Sequence, residues 1–237
     1  MVQTMNYSAK LTSKEAEERG CLVLLRHGET EWSKSGQYTG RTDLPLVDEG
    51  RQQARKVGQR LAHDFPEGFD DGCMLVSPLQ RAQETAQLAG FSGVQTLDAL
   101  AEWDYGRAEG RKSSEIDAEL GWDWMLWRDG PQAIDERLGG DRQAPLPSGG
   151  SVFVRNSDGE SLKQAAQRAL TVVHDVQPMV ESGHRVLLVA HAHILRIVTT
   201  QWLGLDPADA QLFRLDTAHY AVLSRYQGSN VLKRWNC

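Results

Sequence analysis

The stretch CLVLLRHGETEWS, residues 21–33, carries the strongest indication of the fold. Its first five residues are apolar without alternation, which is typical of a strand covered on both faces of a sheet. The run then ends abruptly in Arg26, His27 and Gly28. A permanent cation beside an imidazole that titrates near neutral pH, both at a strand end, indicates a functional site.

Two further apolar runs also end in polar or turn-forming residues. The run VLLVA, residues 186–190, leads into HAH, and the run CMLV, residues 73–76, leads into SP. Ligands of open α/β sheets bind beyond the carboxyl ends of the strands, so these polar groups are expected at one edge. Helical patterns lie between the runs. This alternation predicts an α/β fold, a three-layer helix–sheet–helix sandwich around a mainly parallel central sheet.

Spacing and capping signals predict the remaining elements. A weaker strand is expected at 94–100 and a late edge strand at 219–225. Apolar residues at helical spacing predict helices at 48–62, 78–89, 161–176 and 194–203. Ser77 is expected to cap the second of these, with Pro78 at its first position and Gln80 completing a capping box. Pro178 is expected to end or kink the third.

Composition limits the class of protein. The 237 residues suffice for one sizeable domain, and 40% are hydrophobic, as in an ordinary globular protein. A net charge of −6 argues against a nucleic-acid-binding surface. No apolar run approaches the roughly 20 residues that span a bilayer, and the N-terminus lacks the apolar region of a secretory signal. We therefore expect no membrane association and a cytoplasmic location, in which Cys21, Cys73 and Cys237 stay reduced.

The domain organisation is predicted to be simple. Residues 1–19 are polar and are expected to form an N-terminal tail or a loosely docked helix, and residues 20–237 a single domain. Within that domain, residues 129–160 are rich in Gly, Pro, Asp and Ser. Two interpretations of this insertion stay open, a lid over the sheet edge or a mobile surface loop. Arg137, Arg142 and Arg155 could contact phosphate from a lid, but a solvated loop is the simpler interpretation.

The residues expected at the sheet edge form a candidate anion site. Arg81 falls in the first turn of a predicted helix, and Arg26, His27 and His191 would lie near that helix end. Guanidinium groups bind phosphoryl oxygens bidentately, so a phosphate pocket is predicted. The pair His191-x-His193 also has the spacing of a metal site, which leaves open a metal-dependent hydrolase. No GxGxxG follows the first strand, so a dinucleotide site is not indicated.

Four motifs give the chain a resemblance to the histidine phosphatase superfamily, also called the phosphoglycerate-mutase-like family. They are LLRHGETEWS (24–33), SPLQRAQETA (77–86), AEWDYGRAEG (101–110) and VAHAHILRIV (189–198), in the family's order. The resemblance implies the phosphoglycerate-mutase-like fold and phosphoryl chemistry without a metal or other cofactor. Two stretches, TEWSKSGQYTGRTDLPL (30–46) and WMLWRDG (124–130), are most similar to the sedoheptulose and fructose bisphosphatase-like branch.

The resemblance also implies catalytic roles. His27 is expected to attack phosphorus and form a phosphohistidine, while Arg26, Arg81 and His191 bind the phosphoryl group. Attack requires a neutral imidazole, and neighbouring arginines disfavour the protonated form. Glu102 is expected to donate a proton to the leaving oxygen and later to activate water.

Other positions are expected to contact the substrate or its phosphate: Ser33, Tyr38, Thr39, Gly40, Tyr105, Arg128, Ala192 and His193. Arg128 is expected to bind a distal second phosphate. Ala192 stands where the family's motif usually has glycine. Glu109 is the less favoured alternative to Glu102 as the proton donor.

The sequence thus predicts a metal-independent phosphatase for a small phosphorylated metabolite, either a sugar phosphate or a sugar bisphosphate. Three alternatives stay open: phosphoglycerate-mutase-type transfer, a broad-specificity acid phosphatase, and the metal-dependent hydrolase built on His191 and His193. A catalytically silent phosphosugar-binding protein is disfavoured, because the motif residues are intact. Whether the chain forms a homo-oligomer is left open.

Overall fold

The computed structural model describes residues 11–237. Within this range the helices α1 to α8 cover Ser13–Arg19, Glu31–Ser35, Asp48–Asp64, Gln80–Leu88, Ser113–Leu120, Leu126–Asp129, Leu162–Glu181 and Ala192–Leu203. The strands β1 to β8 cover Cys21–Arg26, Met74–Val76, Gln95–Thr96, Arg142–Pro145, Ser151–Val154, Arg185–Ala190, Tyr220–Tyr226 and Ser229–Arg234. None of these helices is both long enough and apolar enough to cross a membrane.

Six of the strands form one central sheet in the order β3-β2-β6-β1-β7-β8. The first four of that order are parallel to one another, whereas β7 is antiparallel to β1, and β8 to β7. In the centre, Leu24 of β1 lies opposite Leu188 of β6 and Ala221 of β7. The predicted α/β fold with a mainly parallel sheet is confirmed.

Alternate residues of β1 enter two separate cores. Leu22 and Leu24 pack in the cluster that contains the apolar faces of α7 and α8. Val23 and Leu25 pack in a second cluster with residues of α3 and α4. All four side chains are fully buried, which stabilises the fold by about 1.5–3 kcal/mol each. Helices therefore cover both faces of the sheet, as the unbroken apolar run predicts.

Two strand predictions are wrong in detail. The strand expected at 94–100 is reduced to Gln95–Thr96, because the chain turns into a short 3-10 helix that places Leu100 in the core. Tyr220–Tyr226 is not an edge strand, since β8 pairs along its other side. The segment that forms β8, SNVLKR, was missed because its residues are at most half-buried and show little apolar patterning.

The predicted start of α4 is also wrong. The helix begins at Gln80 with Leu79 at its N-cap, and no side chain caps it. The Gln80 N–H donates instead to Asp43 Oδ1 at 2.7 Å, so the capping box of Ser77 and Gln80 does not form. The Ser77 hydroxyl is thereby available to another partner.

The helix α7 does not end at Pro178 but continues to Glu181. Proline removes the hydrogen bond to the carbonyl group four residues earlier, which belongs to His174. Both Pro178 and His174 are exposed, so solvent can hydrogen-bond to that carbonyl group and the helix continues.

Two segments lie beside the central sandwich. Of the predicted tail, residues 1–10 lie outside the described residues, while Ser13–Arg19 form α1, whose Ala16 is buried. Within the segment 129–160, β4 and β5 form a separate two-stranded hairpin. Its Ala144 and Val154 pack with Trp32 of α2, behind the loop that follows the RHG motif.

Candidate active site

Backbone pairing fixes His27 at the carboxyl edge of the sheet. Its N–H donates to the Ala190 carbonyl at 2.9 Å, and its own carbonyl accepts from the Ala218 N–H at 3.0 Å. A Cβ on the next residue, Gly28, would lie 2.4 Å from the Gly50 carbonyl oxygen. The glycine of the motif therefore lets α3 approach the end of β1 closely.

The surroundings of the His27 ring favour its neutral form. Its Nδ1 lies 2.6 Å from the Gly28 carbonyl oxygen, which can only accept, so Nδ1 carries the proton and Nε2 keeps its lone pair. Burial lowers the pKa of His27 well below 6.5, and the charges of Arg81 and Arg26 lower it further. At neutral pH the imidazole is therefore uncharged, as nucleophilic attack requires.

Arg81 and His191 are fully buried behind His27. The two histidine rings lie 5.1 Å apart, centroid to centroid. Arg81 Nε donates to His191 Nδ1 at 3.1 Å, so His191 Nε2 carries the proton, and it contacts Ser77 Oγ at 2.7 Å. Burial and then the charge of Arg81 lower the pKa of His191 well below 6.5. Ser77 was not predicted as a site residue. Its position directly after a strand that ends at this edge of the sheet could have identified it.

The remaining donors of Arg81 hold the loop after α2. Nη1 donates to the Thr42 carbonyl at 3.0 Å, and Nη2 to the carbonyls of Thr39 and Gly40 at 3.1 and 2.8 Å. The carboxylate of Glu109 accepts from the N–H groups of Gly40 and Thr42, each at 2.9 Å. Arg81 and Glu109 thus fix Thr39 and Gly40 next to His27 without themselves lining the pocket.

Arg26 lines the pocket and retains free donors. Its Nη1 donates to the Leu215 carbonyl at 2.7 Å. Its Nε is buried and has no hydrogen-bond partner among residues 11–237. A buried N–H without a partner costs about 1–3 kcal/mol. An anion that accepts from this group would remove that cost, so Arg26 is arranged to bind one.

Glu102 lines the pocket, and its carboxylate lies at the N-terminus of α8. Its Oε1 accepts from the N–H groups of Trp103 and Ile194, both at 2.9 Å, and its Oε2 from the His193 N–H at 3.1 Å. Burial raises the pKa of Glu102, but hydrogen bonding to His193 and the nearby imidazoles outweighs it, and the pKa lies well below 4.5. The positive end of a helix dipole also favours the charged form. Glu102 is therefore ionised at neutral pH.

The pocket in front of these groups encloses about 260 Å³. Its lining comprises Arg26, His27, Trp32, Ser33, Gly36, Gln37, Tyr38, Thr39, Glu102, Tyr105, Ser113, Ala192 and His193. The structure thus brings together most of the predicted site residues, while Arg81, His191 and Gly40 lie directly behind the lining. Four lining residues were not predicted. Three of them lie within the quoted motif stretch, namely Trp32, Gly36 and Gln37, whereas no motif pointed to the fourth, Ser113.

Arg128 lies apart from this pocket. Its guanidinium pairs with Asp129 at 2.8 Å, and its side chain is 52% exposed. No residue of 129–160 lines the pocket either. Arg142 donates to a backbone carbonyl, Arg137 pairs with acidic surface groups, and Arg155 is exposed.

The two histidines of the HAH sequence face different partners. His193 Nδ1 lies 2.5 Å from the Tyr105 hydroxyl, whereas His191 Nδ1 accepts from Arg81. Within residues 11–237, no three His, Cys, Asp or Glu side chains are grouped so that they could hold a metal ion. These contacts favour hydrogen-bonding roles for both imidazoles over the metal-ligand interpretation.

A family model described as the histidine phosphatase superfamily (branch 1) matches residues 22–237. The chain belongs to this superfamily. This histidine phosphatase is 36% identical over 211 residues to an acid phosphatase of Mycobacterium tuberculosis, a match that covers 89% of each chain. It is 31% identical to sedoheptulose 1,7-bisphosphatase of Saccharomyces cerevisiae, over 86% of this chain and 79% of the relative. It is 32% identical to a 2,3-bisphosphoglycerate-dependent phosphoglycerate mutase of Azorhizobium caulinodans, over 78% and 82% of the two chains.

A solved structure supports the same assignment. It is the structure of the product of an open reading frame of Mycobacterium tuberculosis, and it superposes on this histidine phosphatase with a TM-score of 0.74 at 33% sequence identity. The match covers 92% of this chain and 97% of the other chain. The predicted family resemblance and the phosphoglycerate-mutase-like fold are therefore confirmed. The protein is a phosphoric monoester hydrolase of the superfamily.

Proposed function

We propose that this enzyme hydrolyses small phosphorylated metabolites without a metal ion, through a phosphohistidine formed on His27. The observation that carries the proposal is the state of His27, whose Nδ1 is committed to the Gly28 carbonyl and whose pKa is held low, so that Nε2 is a free nucleophile. Arg26 lines the same pocket with an unpaired donor, which supports binding of a phosphoryl group there.

The reaction has two steps. In the first, Nε2 of His27 bonds to phosphorus, the bond from phosphorus to the ester oxygen breaks, and Glu102 gives that oxygen a proton. In the second, water attacks phosphorus, Glu102 takes the proton from the water, and the bond to Nε2 breaks to release phosphate. A phosphate group bound beside Glu102 adds negative charge, which raises the pKa of the carboxyl group and favours the protonated form that the first step requires.

The cationic and hydrogen-bonding groups divide the other tasks. Arg26 is proposed to bind the phosphoryl oxygens directly. Arg81 lies just behind His27 and contributes its charge there, while its hydrogen bonds position Thr39 and Gly40. His191, fixed between Arg81 and Ser77, is proposed to support the phosphoryl group from the buried side.

The test uses p-nitrophenyl phosphate as a general substrate, in the presence of EDTA. We expect phosphate release that EDTA does not reduce, and that falls at least about 10³-fold in His27→Ala. His174→Ala is the matched control, because this histidine is exposed on α7. Acid-free quenching and intact-mass measurement should show one phosphoryl group on the wild type and none on His27→Ala. Release that needs a metal ion, or that persists in His27→Ala, would contradict the proposal.

A further inference from the structure

We propose that the pocket selects esters with a single phosphate, whose leaving group is uncharged and carries several hydroxyl groups, such as a sugar or polyol monophosphate. This inference rests on the proposed function, because it concerns the leaving group of the same reaction. It follows from the contrast between two parts of the pocket. The inner end, where Arg26 and His27 lie, is built for an anion, whereas the outer wall, formed by Tyr38, Tyr105 and Ser113, carries no charged side chain.

Positive charge is confined to the inner end. Arg26 is the single lysine or arginine among the described residues that line the pocket. A phosphate monoester carries about −1.5 to −2 charges at neutral pH, so a single phosphate already takes up the charges of Arg26 and of Arg81. Arg81, the next guanidinium, lies behind His27 rather than along the wall.

Arg128 and Arg196 do not line the pocket, and both are committed to other partners. Arg128, the residue expected to bind a second phosphate, pairs with Asp129 and also contacts Asp123. Arg196 stacks on the Trp127 ring at 4.7 Å and donates to the carbonyl of Ala210. A second phosphate would therefore have to break an ion pair or a stacked contact to reach either of these two guanidinium groups.

The outer wall offers hydroxyl groups and aromatic surface instead. Tyr38 and Ser113 contact each other at 3.0 Å through their hydroxyl oxygens, and both line the pocket. Each hydroxyl can donate one hydrogen bond and accept two, so both can bind a substrate hydroxyl as well. The rings of Tyr38 and Tyr105, 5.0 Å apart, present apolar surface to the C–H groups of a sugar.

The same wall disfavours further negative charge. Burial raises the pKa of the Tyr38 hydroxyl group, and the negative charge of Asp117 also raises it. A negative charge at this position is therefore disfavoured. The pocket volume of about 260 Å³ is below the 300–1,000 Å³ typical of drug-sized ligands. Both features suit a small, uncharged polyhydroxylated group.

The experiment compares matched pairs of esters by kcat/KM from initial rates, each in competition with p-nitrophenyl phosphate. Glycerol 3-phosphate is paired with 3-phosphoglycerate, and fructose 6-phosphate with fructose 1,6-bisphosphate. We expect the uncharged leaving group to be preferred at least tenfold in each pair. Ser113→Arg, which places a cation on the outer wall, should reduce that preference at least fivefold.

A second variant tests the hydroxyl wall. Tyr38→Phe should lower kcat/KM more for fructose 6-phosphate than for p-nitrophenyl phosphate. Tyr226→Phe is the matched control, since this exposed tyrosine ends β7 at the opposite edge of the sheet. Equal or higher kcat/KM for the charged member of each pair would overturn the inference. The proposed function stands in that case if release from p-nitrophenyl phosphate needs no metal ion and depends on His27, and it fails if either condition is not met.

Discussion

The substitution Glu102→Gln tests the proposal that Glu102 is the proton donor. The two oxygens of Glu102 accept three backbone N–H groups, two at Oε1 and one at Oε2. A glutamine keeps one acceptor oxygen and places an NH₂ group at the other position. With its oxygen in place of Oε1 it retains two of the three hydrogen bonds and turns a donor toward the His193 N–H.

The expected magnitudes follow from this geometry. One buried N–H loses its partner, which costs about 1–3 kcal/mol of folding free energy, or roughly 2–10 °C in Tm for a chain of this size. The variant should therefore fold and bind phosphate. Loss of the proton donor should lower kcat/KM about 10²–10⁴-fold for an alkyl phosphate, whose alkoxide needs a proton to leave. For p-nitrophenyl phosphate the loss should be at least tenfold smaller, because the phenolate leaves without a proton.

Glu109→Gln is the matched control for this experiment. Glu102 and Glu109 are each 3% exposed, and each accepts backbone N–H groups, but Glu109 does not line the pocket. Its substitution should lower Tm similarly, and any loss of rate should be the same for both esters. Equal losses for the two esters in Glu102→Gln, or a leaving-group-dependent loss in Glu109→Gln, would refute the assignment of Glu102 as the acid.

Acid should destabilise the fold, because His27 and His191 are buried and His193 is partly buried, and desolvation lowers the pKa of each below 6.5. Below pH 6.5 the unfolded chain binds protons that the folded chain does not. Urea titrations should therefore show that the free energy of unfolding falls by up to about 1.4 kcal/mol per histidine per pH unit. A constant free energy of unfolding from pH 7 to 5 would disprove this. Gly40→Ala should lower stability by about 1–3 kcal/mol and reduce kcat/KM, because the new methyl would lie 2.6 Å from a buried carboxylate oxygen; an unchanged denaturation midpoint would argue against this contact. Ser77→Ala should leave the buried imidazole N–H of His191 unpaired, which costs about 1–3 kcal/mol and lowers Tm. It should also shift the pH profile of kcat/KM. A Tm change with no shift in that profile would restrict Ser77 to a structural role.

The fold and the inner end of the pocket were predictable because strong local signals specify them. An apolar run such as that of β1 can be buried only between two layers, and parallel strands bring their carboxyl ends to one edge. That rule placed His27 near His191 although 164 residues separate them in sequence. By contrast β8, which is polar and half-buried, gave no comparable signal.

Partner choice among polar side chains was not predictable in the same way. Ser77 and Gln80 match a capping box in sequence, but Asp43, distant along the chain, supplies the acceptor for Gln80. Arg128 has the chemistry to bind phosphate, yet its neighbour Asp129 pairs with it at 2.8 Å. In each case several groups compete for the same polar side chain or N–H group, and the sequence alone does not show which of them binds it.

The division between a rigid inner end and a loop-built outer wall also offers a physical reason why relatives in one superfamily carry different enzyme names. The inner end is formed by strand termini and the N-terminus of α8, and its groups are fixed by hydrogen bonds to backbone. The outer wall comes from the segment after α2 and from the start of α5, where Tyr38 and Ser113 lie. Loops accept substitutions that a packed sheet edge does not. Chains that are 31–36% identical to this one can therefore retain the phosphoryl chemistry while the leaving group changes from one relative to the next.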